Sequence, residues 1–459
     1  MNGPDTHLAG VPHAPPPYPA RAYSGPVVRD WRERFMHFLL YMACFTMTWH
    51  LFRLGSINVT ISDAALAMCL VMLAARGRLN PLPLGSYTYL WCIGLFMMLG
   101  ALLISSLTHS APMRWLIVAP QYLFAFLLVP MIFMSQDRAV LYKCLLYFAV
   151  GVAVSEAVGV AASNFLTYAQ TKPILGPGFL IGNGRVGAFA GEANWNGASV
   201  AFALPMLILV WRRRLIHPIP AIICLIALIW GVLASASFTG FSAAMLGLIL
   251  MFAISSIGNF IKIGLPLFAG LGVYVAAGLP LPGEFQQRVA TALETGNIDA
   301  AGTFVDRSAL ISEAWHFASD TIFIGFGVDR YRQVSAYGAP VHNFPLLILT
   351  EGGIFALIGV IIMVSVLLWM TLLVLRRDRE AGAMAFSVLT VLLIFSMAIP
   401  HMYTRLWIGP VLLALAACYS TVRRMAAPMP MPYGAMPGPQ AATAQPPAEF
   451  PLESRSSPA

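Results

Sequence analysis

Residues 342–376 read HNFPLLILTEGGIFALIGVIIMVSVLLWMTLLVLR, and this stretch decides the fold. Between His342 and Arg376 its only ionisable side chain is Glu351. A helix over 344–376 would be roughly 50 Å long at 1.5 Å per residue. That exceeds the ~30 Å hydrocarbon layer of a bilayer. The run therefore predicts a membrane-crossing helix that protrudes or breaks, and Gly352-Gly353 marks the place for a break. Asn343 suits an N-cap and Pro345 the first helical turn, so the helix should start at a membrane surface just after His342.

Outward from this run, eleven more apolar stretches lie at about 35–52, 59–75, 88–107, 114–134, 138–162, 194–211, 216–234, 238–256, 261–279, 382–399 and 405–421. The whole chain has 459 residues, 59% hydrophobic and 10% charged, with mean hydropathy +0.76. Soluble domains carry about 25% charged residues. Lipid must be the solvent for most of this chain. The net charge of +8 comes from Arg and Lys clustered between apolar runs. Orientation signals are placed this way. Base-reading and zinc-finger motifs are absent, which argues against nucleic acid. All six cysteines lie inside apolar runs, with no CxxC pair and no disulfide framework.

The organisation follows. Residues 1–34 are a cytoplasmic tail, Pro-rich and polar (APPPYPA over 14–20) where a signal peptide would be apolar. Residues 35–424 are the membrane domain, and 425–459 a second Pro/Ala/Ser-rich tail; both tails read as disordered. The positive-inside rule sets the sidedness. Arg21, Arg29, Arg32 and Arg34 place the N-terminus in the cytoplasm. If every run crosses, Arg76/Arg78, Arg138, Arg212–Arg214, Lys262, Arg376/Arg377/Arg379 and Arg423/Arg424 all fall on that same side. Two long loops, 163–193 and 280–343, then face the periplasm. The expectation is an all-α polytopic inner-membrane protein of about twelve transmembrane helices. Its large periplasmic loop precedes the tenth helix, both termini are cytoplasmic, and the chemistry sits on the outer face.

Three stretches carry polar chemistry at that face. His342-Asn343 precedes a helix whose free N–H groups and dipole favour an anion; the same pair is equally well read as a plain cap. The segment RVGAFAGEANWNGA (185–198) sets Arg185, Glu192, Asn194 and Asn196 just before a membrane helix, where interfacial anchoring by Trp195 is the bland alternative. In DRSALISEAWHFASDTIFIGFGVDRY (306–331), Ile311, Ala314, Trp315 and Ala318 recur at helical spacing, with Arg307 one turn earlier on that face. Asp63 and Glu156 fall near the outer ends of membrane runs, where intramembrane acids are functional candidates and interfacial placement is the cheaper reading.

Taken together these stretches resemble the O-antigen ligase and Wzy-type polysaccharide polymerase superfamily. HNFPLLILTEGGIFALIG looks like its H-N-x-x-L-x-x-x-x-E-x-G signature. The other two resemble its Arg-x-Gly…Asn segment and its Arg–aromatic helix–Gly-x-Gly loop segment. Specificity comes from three short motifs in order over about 180–360. The resemblance implies glycan transfer from an undecaprenyl-diphosphate carrier to an acceptor hydroxyl, inverting the anomeric centre without metal or other cofactor. It implies Arg185 and Arg307 on the donor diphosphate, His342 as general base, and Glu351 as a second catalytic residue. Glu192, Asn194 and Asn343 would position the acceptor or sugar. Expected partners are the lipid bilayer, a flippase and a chain-length regulator. A polymerase extending another lipid-linked repeat and a ligase joining the glycan to lipid A-core share the donor, and the motifs do not separate them. A flippase-like transporter is the rival from another class. Transporters place polar groups near the midplane on repeated, broken helices, whereas here the polar chemistry is in outer loops and no repeat is evident.

Overall fold

The computed structural model describes residues 31–54, 58–256, 258, 260–277, 281–296 and 304–426. The expected tails lie outside the described residues, apart from 31–34, which open the first helix, and 425–426, which end the last. The long helices are α1 (Trp31–Phe45), α2 (Ile61–Ala75), α3 (Tyr87–Thr108), α4 (Pro112–Met134), α5 (Arg138–Phe165), α6 (Tyr168–Leu175) and α7 (Ala193–Arg212). There follow α8 (Pro218–Ser235), α9 (Phe238–Ser255), α10 (Leu265–Ala276), α11 (Phe304–Asp320), α12 (Phe344–Leu375), α13 (Arg379–Ser396) and α14 (Arg405–Ala426). Two isolated β-bridges are the only extended pairing among the described residues. Eight helices, namely α3, α4, α5, α7, α8, α9, α12 and α13, are long and apolar enough to cross a membrane. The protein is an all-helical polytopic membrane protein.

Two helices form the centre. Every residue from 196 to 210 in α7, and from 402 to 418 leading into and along α14, is buried. Such helices are apolar on all sides because they have no lipid or water face. α5, α8, α9 and α13 pack around α7, while α5, α12 and α13 pack around α14. Peripheral helices reverse the usual amphipathic sense. On α8 the exposed stripe is Ile219, Ile222, Ile223 and Ile226, at i, i+3, i+4 and i+7, as expected where the outer face meets hydrocarbon.

Backbone irregularities inside helices have local remedies. Pro130 has no N–H to give the Phe126 carbonyl. The Trp91 indole donates to that carbonyl instead, at 2.6 Å, and a π-helical turn spans Phe124–Leu128. α3 and α12 cross where Gly94 meets Gly359; a Cβ on Gly94 would sit 2.7 Å from the Gly359 carbonyl oxygen.

The main irregularity is in α12, which breaks at Gly353 (φ 76°, ψ −173°), one of the two glycines the sequence marked. The break frees the Thr350 and Glu351 carbonyls and the Ile354 N–H. All three are re-paired by one loop: Phe326 N–H donates to Thr350, Gly327 N–H donates to Glu351, and Ile354 N–H donates to Ile322, at 2.9, 2.9 and 2.7 Å. The same loop bonds Val328 N–H to Ser106 Oγ and the Arg330 guanidinium to the His109 carbonyl, at the end of α3. Irregular backbone at such depth is tolerated only when protein covers it, and here the 322–330 segment does so.

The buried face of α11 differs from the sequence expectation. Leu310, Ala314 and Ala318 are buried against Tyr331, Val341, Leu346 and Leu347, whereas Ile311 is 37% and Trp315 66% exposed. Ala314 and Ala318 of the expected stripe are buried, and Ile311 and Trp315 are not, so the buried face is turned toward Leu310. The apolar Ile311 and Trp315 look inward on a soluble-helix pattern, but in a membrane protein apolar side chains also point outward.

Replacing Gly353 tests the break. An L-residue there would take a conformation almost confined to glycine, and its Cβ would collide with the Phe323 carbonyl oxygen. Gly353→Ala should destabilise the detergent-solubilised protein by roughly 1–3 kcal/mol, lower its thermal midpoint and expose 322–330 to protease. An unchanged midpoint and digestion pattern would contradict the assigned conformation.

Candidate functional site

Charge is segregated to the two ends of the helices. At one end Arg212 pairs with Glu380, and Arg213 makes two 2.9 Å bonds to Asp378. Arg138 lies 4.0 Å from the same carboxylate. Twenty residues of α7, about 30 Å, separate this cluster from the other end, where the residues singled out in the sequence lie.

At that end Glu192 caps α7, accepting the Trp195 N–H at 2.8 Å. Asn194 donates to Glu192 Oε1 at 2.9 Å, and its own oxygen accepts Arg185 Nη2 and Ser237 Oγ, both at 3.0 Å. Arg185 Nε donates to the Ser235 carbonyl at 2.9 Å. Arg185 is thus fixed from two sides, by the end of α8 and the start of α7, with its planar fork pre-organised. Burial pushes its pKa down to about 10; Arg288 and Arg307 add to this, and Glu192 and Glu284 oppose it. Burial lowers Arg307 as well, with Arg288 acting the same way and Glu192 opposing. Arg185, Arg288 and Arg307 therefore lie within electrostatic reach of one another and of Glu192. A docking anion would meet cations already partly stripped of water. Beside Glu192 a cavity of about 590 Å³ opens, lined by His50, Arg53, Gly176, Gly191 and Trp195 among others.

His342 lies within the influence of Arg307. Burial first, then Arg307 and His401, lower its pKa, while the Pro340 carbonyl opposes them. These influences favour the neutral imidazole. Its Nδ1 is buried and has no hydrogen-bond partner among the described residues. Asn343 caps α12 through its side-chain oxygen, which accepts Leu346 N–H at 3.0 Å, with Pro345 in the first turn. The cap expected at this position is present.

The structure thus brings together Arg185, Glu192, Asn194 and Arg307, with His342 next in line and Asn343 adjoining it. Glu351 stands apart. It is buried beside the Gly353 break, against the backbone of Asp329 and Tyr331. No hydrogen bond among the described residues joins Glu351 or Glu192 to His342. Asp63 caps α2 in a reciprocal capping box with Thr60 and pairs with Arg405. Glu156 is buried and accepts from Asn196 at 2.9 Å.

Several residues were not singled out from the sequence. Arg288 completes the guanidinium trio. Asp329 is almost wholly buried at the end of the 322–330 segment, with Arg114 Nε at 2.7 Å, Arg332 at 3.1 Å and His401 Nε2 at 3.7 Å. Glu313 on α11 accepts from Tyr331 OH, Ser335 Oγ and Ala336 N–H at 2.8, 2.6 and 2.7 Å, fixing the approach to His342. No protein-family model matches this sequence, and neither does any curated protein.

Asp329 offers a test of this arrangement. Burial disfavours its charge, but His401, Arg114 and Arg332 outweigh that and hold it below the usual carboxylate range. A lowered carboxylate pKa stabilises the fold above the unfolded pKa of ~3.9 and loses that contribution as pH falls through the folded value. Asp329→Asn should therefore destabilise by roughly 1–2 kcal/mol at pH 7, the lower part of the range because Arg114 and Arg332 stay partly in water. The difference from wild type should shrink below pH 4. Thermal unfolding at pH 7 and pH 3.5 measures both, and a pH-independent difference would contradict the ion-pair assignment.

Proposed function

We propose that this chain transfers a glycan from an undecaprenyl-diphosphate carrier to an acceptor hydroxyl, as a polymerase of lipid-linked repeats. The observation that carries this reading is the convergence of Arg185 and Arg307, chosen from separate sequence segments, with a neutral His342 whose Nδ1 has no partner. A diphosphate leaving group needs fixed positive charge, and guanidinium forks supply it bidentately. In the proposed step the acceptor oxygen attacks the anomeric carbon from the side opposite the carrier. His342 takes the hydroxyl proton, the bond from anomeric carbon to phosphate oxygen breaks, and the diphosphate leaves with the electron pair. Arg185, Arg307 and Arg288 balance the developing charge. Joining the glycan to lipid A-core would use the same step with a different acceptor.

The reading includes a twelve-span topology in the inner membrane with this site on the periplasmic side. To the eight long spans this reading adds α1, α2, α10 and the apolar part of α14, Arg405–Ser420. Cysteines placed at Arg214 and at Gln333, both exposed, address the sidedness. A membrane-impermeant thiol reagent should label position 333 and spare 214 in intact cells, and the reverse pattern would refute the topology.

The chemistry is tested with purified protein, undecaprenyl-diphosphate-linked repeat units and analysis of product length. Wild type should build longer carrier-linked chains. Arg185→Ala and Arg307→Ala should each reduce transfer by about 10²-fold or more, on the scale of a lost transition-state charge contact. The Lys variants should keep part of the activity, because charge remains without the fork. Unchanged transfer by both Ala variants would exclude diphosphate binding by these residues. No product from wild type with any acceptor would overturn the reading.

A further inference from the structure

Between Asp320 and Asp329 the chain reads TIFIGFGV, without an ionisable side chain. Three large apolar residues near its start are turned outward: Ile322 is 43%, Phe323 69% and Ile324 47% exposed. α11 leads into them, and its own exposed Ile311 and Trp315 lie on the same approach. At 3.6 residues per turn this helix has three sectors. Leu310, Ala314 and Ala318 are buried. Ile311 and Trp315 border that face, and the exposed Ser312, His316 and Ser319 lie beyond them. An apolar edge thus separates the buried face of α11 from its polar one and runs on into Ile322–Ile324.

Contacts to two membrane-crossing helices fix the depth of this tip. α3 has 22 residues, about 33 Å, close to the ~30 Å hydrocarbon layer. Gly352 of α12 abuts Leu102 of α3, where an added Cβ would meet Leu102 Cδ2 at 2.9 Å. The Ile322 carbonyl accepts the N–H of Ile354, just inward of Gly352. Leu102 is six residues, about 9 Å, short of Thr108 at the end of α3. Further out than Leu102, α3 still exposes Ile104 and Leu107, and just inward of the break α12 exposes Phe355 and Ile358. The tip therefore lies inside the apolar girdle of the bundle, with exposed apolar side chains both outward and inward of its level.

We propose that Ile322–Ile324, with the Ile311 and Trp315 edge of α11, is a membrane contact that dips into the bilayer leaflet on the side of the candidate site. Its occupant is the acyl chains of the lipid. Continuity argues for lipid over a partner protein, since the surface adjoins α3 and α12, whose apolar length already commits them to hydrocarbon. The insertion is shallow, in the ~5–10 Å range of helices that lie in the interface. The Thr321 hydroxyl donates to the Phe317 carbonyl at 2.9 Å, but the bends at 321–324 carry backbone groups that deep hydrocarbon would not tolerate. Trp315 suits the headgroup level, where indoles concentrate, and Ser312, His316 and Ser319 face water. Part of the 280–343 segment, read from sequence as a loop outside the membrane, is thus a membrane element. The same segment re-pairs the α12 break and ends on Asp329, so lipid packs against that junction. The inference requires only that the chain spans a bilayer and is independent of the transfer reading.

The test uses the full-length protein in nanodiscs of phosphatidylethanolamine and phosphatidylglycerol. In one sample a fraction of the lipid carries a photoactivatable diazirine on an acyl chain; a parallel sample receives a water-soluble diazirine. Adducts are mapped by mass spectrometry on the tryptic peptide that runs from Ser308 to Arg330. Acyl-chain adducts should fall on Trp315 and on Ile322, Phe323 and Ile324, and aqueous adducts on His316 and Ser319. Phe323→Asp puts a charge where hydrocarbon is expected and should lose the acyl-chain adducts across 322–324. Its thermal midpoint in detergent should stay that of wild type, because the side chain is exposed. Phe323→Leu should retain the adducts. Aqueous labelling of 322–324 equal to that of Ser319, with no acyl-chain adduct there, would overturn the proposal. So would full acyl-chain labelling in Phe323→Asp, or a Phe323→benzoylphenylalanine variant that cross-links to a second copy of the chain in place of lipid.

Discussion

Gly353 has a backbone conformation that only glycine adopts readily, and the architecture of the site depends on it. A continuous α12 would leave Ile322, Phe326 and Gly327 without the backbone partners they have there. Because the helix breaks, three of its backbone groups need partners, and the loop that supplies them is drawn in between α12 and α3. That loop ends on Asp329, which is thereby set among Arg114, Arg332 and His401. It then runs through Tyr331, where Glu313 anchors it, back to His342. One unusual φ/ψ pair thus fixes, through hydrogen bonds, the loop that leads on toward His342.

The arginine trio depends on a different device. Arg185 is aimed by the carbonyl of Ser235 and the side chain of Asn194, and Asn194 is aimed by Glu192, which also caps α7. Helix capping and guanidinium orientation are one network, so the long buried helix α7 carries the geometry of the site into the core. With two carboxylates among three arginines, the site keeps a net positive charge yet avoids the full repulsion of bare cations. At the opposite end Arg138, Arg212 and Arg213 pair with Asp378 and Glu380.

Much of this was legible in the sequence. Apolar run length located the helices, because burial in lipid needs a fixed number of residues. Gly352-Gly353 in an overlong run foretold the break, and Asn343 with Pro345 foretold the cap, because both are decided by neighbours in the chain. Arg185 and Arg307 stood out as the cations of two polar segments beside membrane helices. What escaped was set by tertiary contact alone. Arg288 sits in an unremarkable stretch and becomes part of the trio only when Gln286–Ala290 folds beside Arg185. Asp329 gains meaning only from partners 215 and 72 positions away, Arg114 and His401. On α11 Ala314 and Ala318 were rightly placed inside but Ile311 and Trp315 were not, because apolar periodicity does not say which apolar side faces lipid.

The central claim is that a neutral His342, held near an arginine trio, accepts a proton as glycan leaves a lipid diphosphate. Single-turnover transfer by purified His342→Gln, with carrier-linked donor bound and protein level matched, tests it most directly. Glutamine keeps hydrogen bonding but cannot hold the proton. The account predicts normal donor binding and a transfer rate reduced by about 10²–10⁴-fold, the usual contribution of a general base. Near-normal turnover by His342→Gln would contradict it.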